Sequence, residues 1–277
     1  MLYPEQQRAN NANLCFNWFE PGDTRRREGE VLSIARMIDA MIEHHGVDRN
    51  RVFITGLSAG GAMTSAMLAS YPEKFAGGAI IAGLPHGAAS SMPEAFQQMR
   101  RHTPSNRTTG ASIKRASGYR GAWPAVSVWH GTADTVVNLT NADAIVCQWL
   151  EVHGLSDTPT ETGMVDGHPR RAWRDAAGRL LIEEYRVTGM DHGVPLSTHG
   201  ECAFGEAGAF VLEAGISSTV HSARAWNLLR QGTVMRPDVE ESVSASPAGE
   251  HATLPPHPHF QVGQVIEQAL RSAGLMK

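Results

Sequence analysis

Arg51-Val52-Phe53-Ile54-Thr55-Gly56-Leu57-Ser58-Ala59-Gly60-Gly61-Ala62-Met63-Thr64-Ser65-Ala66-Met67-Leu68-Ala69 is the stretch whose reading decides the fold. Its first five residues are a β-branched and aromatic run that predicts a buried strand. Its last nine are rich in Ala and Met and predict a helix. Between them stands G-x-S-x-G. Strand, G-x-S-x-G and helix in that order form a nucleophile elbow, a turn so tight that it lifts the Ser58 hydroxyl clear of the sheet. The tightness demands flanking positions almost without side chains, which is the expectation for Gly56 and Gly60. The helix start brings backbone N–H groups beside the hydroxyl. Ala59, directly after the serine, is expected to offer one of them to a developing oxyanion.

Working outward, strands and helices alternate. Val31, Ile34, Met37, Ile38, Met41 and Ile42 make a helical stripe between Gly29 and His45, and Gly46 is placed to stop it. Ala79–Ala82 and Ala125–Trp129 read as strands, and Asn141 to His153 as a helix. Arg170–Arg174 and Leu180–Val187, joined by Asp175-Ala176-Ala177-Gly178, read as paired strands. Residues 85–120 lack a period and are expected to form a loop-and-helix excursion over the sheet. Ser218 to Leu229 suits a closing helix. The fold class that follows is α/β, a mostly parallel sheet with helices on both faces. Chemistry in such sheets sits at the carboxyl ends of the strands. The expected domain is 1–232. From 233 to 277, Pro237, Pro247, Pro255, Pro256 and Pro258 predict a flexible tail with a weak helix at Val262–Leu270. His251, His257 and His259 in that tail have no spacing that fixes a metal ligand set.

Composition agrees with one globular α/β unit. The chain has 277 residues, 42% of them apolar and 19% charged, with a formal charge of −4. That balance gives no sign of a nucleic-acid or anionic-membrane partner. No basic and apolar leader opens the chain. Cys15, Cys147 and Cys202 lack metal-site spacing and allow one disulfide or none.

A serine hydroxyl is a weak nucleophile and needs an imidazole to take its proton. A carboxylate must in turn fix that imidazole's tautomer. Asp134, in His130-Gly131-Thr132-Ala133-Asp134 after a strand, is the candidate carboxylate, with helix capping as its rival role. His192, in Thr188-Gly189-Met190-Asp191-His192-Gly193, is the candidate base. Gly189 and Gly193 would let its loop bend back over the elbow. His130 is expected to be a structural neighbour of Asp134, and Asp191 to point away from the reacting groups. His86, His168 and His221 have no comparable context.

Leu2-Tyr3-Pro4-Glu5-Gln6, Cys15-Phe16-Asn17-Trp18-Phe19, the elbow, His130–Asp134 and Ser217-Ser218-Thr219 together resemble the polyhydroxybutyrate (PHB) depolymerase-type esterases, from about Leu2 to Leu229. The resemblance implies the α/β-hydrolase fold and cleavage of polyhydroxyalkanoates or of related acyl and feruloyl esters. It implies a triad at Ser58, Asp134 and His192, no cofactor or metal, and an extracellular location, with a cytoplasmic one as the alternative. Trp18 and Trp129 could face the ester, although core packing is their commoner role. Family members open with further strands and a His-Gly-Cys loop that completes the oxyanion hole. The resemblance therefore implies that these N-terminal strands are missing here, leaving Ala59 as the assignable donor and Cys15 without its family partner. Two other functions remain open: a feruloyl or acetyl esterase acting on plant polysaccharide, and a catalytically dead binding module.

Overall fold

The computed structural model describes residues 1–200 and 203–229. The expected tail, its weak helix, its histidines and Cys202 lie outside them. The first 20 residues hold turns and no strand. They are fastened to helix α2 (Gly29–His45), which follows the short α1 (Pro21–Thr24), through the buried Glu30 carboxylate. Glu30 accepts from Gln6 Nε2 at 2.5 Å, Asn10 Nδ2 at 2.7 Å and the Asn17 amide at 2.8 Å. Burial raises its pKa against the pull of these donors. Gly46 ends α2 in the left-handed conformation at φ 63°, as its position predicts.

The elbow strand β1 runs Phe53–Leu57, two residues later than its sequence reading, because Arg49–Arg51 forms a 3-10 turn. It carries Gly56 and Leu57 inside the strand and delivers Ser58 directly to helix α3 (Ala59–Ser70). Next come β2 (Gly77–Ile81), α4 (Met92–Arg100), α5 (Gly110–Ser117), β3 (Ala125–Gly131) and α6 (Thr140–His153). The excursion at 85–120 thus contains two short helices. β4 (Glu161–Val165), β5 (His168–Arg174) and β6 (Leu180–Val187) follow, then β7 (Val194–Leu196), β8 (Val211–Glu213) and α7 (Ser218–Ala225).

The main sheet has the order β1-β2-β3-β6-β5-β4. β1, β2, β3 and β6 pair in parallel, while β5 and β4 are antiparallel to their neighbours. β1 was expected to be buried. It lies instead at the sheet edge, half-buried, with Thr55 exposed, since among the described residues β2 is its one partner in the sheet. Alternation splits the core in two. Val126, Val128 and Ile80 face Met67, Leu68, Ile113 and Trp149 from α3, α5 and α6. Ala79, Ile81, Trp129 and Tyr185 face Met190 and Ile216 on the other side. Cys15 and Cys147 carry free thiols.

Two histidines tie this packing to pH. His86, in the loop after β2, is gripped by Gln148 of α6, which accepts from its amide at 3.1 Å and donates to its carbonyl at 2.9 Å. Burial pushes the imidazoles of His86 and His153 down to about 4. Between pH ~6.5 and about 4 the unfolded chain therefore binds protons that the fold refuses. Stability should fall as pH is lowered through that window, by up to ~1.4 kcal/mol per histidine per pH unit. It should keep falling below the window as carboxylates held under their ordinary pKa, Asp134 and Asp191 among them, take up protons. Urea titrations across this range check it, and His86→Gln should flatten the slope. A midpoint independent of pH would contradict the burial argument.

Candidate active site

Ser58 sits at φ 58° and ψ −118°, a strained conformation for a residue with a side chain. Hydrogen bonds on both sides hold it there. Its N–H donates to the Ile81 carbonyl at 2.9 Å, and its own carbonyl accepts from Ala62 at 2.9 Å. The turn is as tight as expected at Gly56, where a Cβ would come within 2.2 Å of the Gly60 carbonyl oxygen. Gly60 departs from the expectation. A Cβ there meets nothing within 4 Å, because the position faces an open cavity that it helps to line. The second position that needs to be bare is Gly61, whose Cβ would lie 2.8 Å from the Ile81 carbonyl oxygen. Ala59 opens α3, where the first-turn N–H groups have no partner within the helix.

Ser58 follows β1, Asp134 follows β3 and His192 follows β6, so the parallel pairing puts all three at one end of the sheet. Asp134 bonds through both oxygens, and neither contact caps α6, whose N-cap is Leu139 with no side-chain cap. Asp134 Oδ1 accepts from the amides of Val136 at 2.9 Å and Val137 at 2.8 Å, in the turn that leads toward α6. Its Oδ2 lies 2.8 Å from His192 Nδ1. A carboxylate only accepts, so Nδ1 is the donor, and in the neutral ring Nε2 is the nitrogen that keeps a lone pair. That Nε2 is buried and has no hydrogen-bond partner.

His130 is a neighbour of Asp134, as expected. Fully buried, it donates from Nε2 to the Val137 carbonyl at 2.7 Å and comes within 3.2 Å of Asp134 Oδ2. Burial alone would raise the Asp134 pKa. The donors from His130, His192 and Val137 outweigh it and hold the carboxyl well below the usual range, so the group is ionised.

Ser58 and His192 both line an apolar cavity of ≈370 Å³, a size suited to a small ligand. Trp18 and Phe19, packed edge to face at 5.6 Å, line it together with Phe16, Leu84, Phe96 and Phe210. Phe210 also meets the His192 ring edge-on at 6.4 Å. Trp18 lines the same cavity as Ser58. Trp129 does not: it is fully buried on the far side of the sheet, stacked on Tyr185 at 3.7 Å, with its indole N–H donating to Ser127 Oγ at 2.6 Å. Alternation along β3 turns its side chain to that face.

Several lining residues had no signal of their own in the sequence. Ala95, Phe96 and Met99 come from α4, within the excursion, and Asn11, Asn13 and Leu14 come from the segment pinned by Glu30. Among the described residues no three His, Cys, Asp or Glu side chains cluster as a metal site would require. No described helix is long and apolar enough to cross a membrane.

The family model described as Esterase PHB depolymerase matches residues 1–170. Poly(3-hydroxyalkanoate) depolymerase C of Paucimonas lemoignei is 41% identical over 232 residues, which are 83% of this chain and 56% of that protein. Feruloyl esterase B of Talaromyces stipitatus is 32% identical over 205 residues, 70% of this chain and 56% of that protein. Among solved structures, an acetyl xylan esterase from Aspergillus awamori superposes with a TM-score of 0.57 at 27% identity, covering 64% of this chain and 68% of that one. The chain spans just over half the length of the two curated relatives.

The close contacts of the elbow predict unequal tolerance of its glycines. Gly56→Ala and Gly61→Ala force backbone atoms apart and should each lower stability by about 1–3 kcal/mol or more. Gly60→Ala should keep or slightly raise the melting temperature, since Ala is the better helix former by ~1 kcal/mol. Thermal melts of the three variants check the order, and equal losses at all three would contradict it.

Proposed function

The chain belongs to the esterase PHB depolymerase family, and from that premise we propose that it is a serine ester hydrolase working through an acyl-enzyme. The observation that carries this reading is the His192 imidazole. Its Nδ1 is bound to the ionised Asp134, its Nε2 has no hydrogen-bond partner, and the residue lines the same cavity as Ser58.

In the proposed cycle His192 Nε2 takes the Ser58 hydroxyl proton as Oγ attacks the ester carbonyl carbon. The carbonyl oxygen becomes an oxyanion and is met by the Ala59 N–H at the start of α3. Collapse of this tetrahedral intermediate breaks the bond to the alcohol oxygen, which leaves with the proton from Nε2. Water then enters and loses a proton to Nε2 while its oxygen attacks the acyl carbon. The second intermediate expels Ser58 Oγ, which regains the proton, and the free acid departs. Asp134 keeps its charge throughout and stabilises the imidazolium. The cycle uses no cofactor.

The preferred substrate is a polyhydroxyalkanoate-like aliphatic ester. The apolar wall of the cavity supports this choice, because a short alkyl side branch needs no polar partner there. So do Leu14 and Met92, which line the cavity yet stay largely exposed and so extend the apolar surface outward. A polymer too large to enter a cell must be cut outside it, so the reading carries an extracellular location with it. The aromatic side chains lining the cavity favour one second reading, a feruloyl ester whose ring stacks among Trp18, Phe96 and Phe210.

Kinetics on PHB film, short 4-nitrophenyl esters, methyl ferulate and acetylated xylan separate these readings. Ser58→Ala should lower kcat on every active substrate by about 10³-fold or more while leaving the melting temperature within a few degrees. PHB and short acyl esters should be cleaved with higher kcat/KM than methyl ferulate. Activity retained by Ser58→Ala would defeat the mechanism, and a preference for methyl ferulate would defeat the substrate assignment alone.

A further inference from the structure

The loops that carry Asp134 and His192 are laced to each other by contacts that have no place in the cycle above. Backbone contacts supply part of the lacing. The Thr132 amide donates to the Val187 carbonyl at 2.9 Å, and the Ala133 amide to the Met190 carbonyl at 3.0 Å. The approach is close enough that a Cβ on Gly131 would meet the Met190 carbonyl oxygen at 2.2 Å. Thr132 Oγ1 adds a contact by accepting from the Gly189 amide at 2.8 Å.

The remaining link is Asp191. Its Oδ1 accepts from the Thr135 amide at 3.0 Å, from Thr135 Oγ1 at 3.1 Å and from the amide of His192 itself at 2.8 Å. One oxygen thus grips the residue after Asp134 and the backbone of His192 together. The Thr135 and His192 amides hold the carboxyl below its ordinary value, so the acceptor stays ionised. The other contacts join the two loops upstream of both functional side chains. Asp191 alone spans from the residue next to the carboxylate to the residue that bears the imidazole.

We propose that Asp191 is a positioning residue, whose carboxylate fixes the His192 backbone against the Asp134 loop and so sets the orientation of the His192 imidazole relative to Ser58. This rests on the reading of Ser58 and His192 as nucleophile and base. Adjacent in sequence to His192, Asp191 cannot serve as its Nδ1 partner while its Oδ1 is engaged with the backbone, and Asp134 already fills that place. The exposed position of Asp191 means that removing its side chain opens no cavity in the core.

A misplaced imidazole affects proton transfer more than substrate binding, and an error of about 1 Å can cost on the order of 10²-fold. Asp191→Ala should therefore lower kcat by about 10- to 100-fold with KM within twofold of wild type. Asp191→Asn keeps an oxygen acceptor for the same three donors and should restore kcat to within about threefold. The rate of covalent labelling of Ser58 by a fluorophosphonate should follow the same order, because labelling needs the same activated hydroxyl. Wild-type kcat in Asp191→Ala would overturn the proposal, as would an equal loss in the Ala and Asn variants. Failure of the wild-type protein to label at Ser58 would instead overturn the underlying nucleophile assignment, which keeps the two failures apart.

Discussion

The left-handed backbone of Ser58 is the constraint on which the rest of the site depends. A side-chain-bearing residue at φ 58° costs of order 1–3 kcal/mol and persists only where its surroundings over-determine it. Here the Ile81 carbonyl, the Ala62 amide and the bare Cα of Gly56 do so together. The turn can then reverse within one residue from the end of β1 to the start of α3. The hydroxyl and the first N–H groups of the helix emerge side by side at the cavity, and neither would do so from a looser turn.

The parallel register supplies the second half of the arrangement. β1, β3 and β6 end at the same side of the sheet, so loops distant in sequence open into one space. The β3 and β6 loops are joined by hydrogen bonds from Thr132, Ala133 and Thr135, and the imidazole is held between the Asp134 carboxylate and the Phe210 ring. Both sides of the cavity owe their position to buried polar contacts at a distance. Glu30 holds the N-terminal segment with its Asn11–Phe19 lining, and Gln148 fixes the loop after β2.

The elbow and most of the α2 stripe, although not its exposed Met37, were legible in the sequence because each is a local pattern. Glycine positions, helical periodicity and strand composition need no knowledge of distant partners. What escaped the sequence was set by pairing and packing. That β1 is an edge strand depends on which strands join it, and nothing in Phe53–Leu57 records that. Gly60 and Gly61 are identical in sequence, yet only the structure shows that one faces space and the other a carbonyl. Trp129 looked available for a ligand until the alternation of β3 put it on the far face. The helices α4 and α5 are too short to show a period above the noise of residues 85–120, although α4 contributes Phe96 and Met99 to the cavity.

The claim that Ser58, Asp134 and His192 form one acyl-transfer site is tested most directly by trapping the acyl group. Rapid-quench mass spectrometry during turnover of a short 4-nitrophenyl ester should find one acyl adduct per chain on the peptide containing Ser58. The adduct should form in a burst that matches nitrophenol release. A burst with the acyl group on another residue, or turnover with no adduct on Ser58 when deacylation is limiting, would contradict the account.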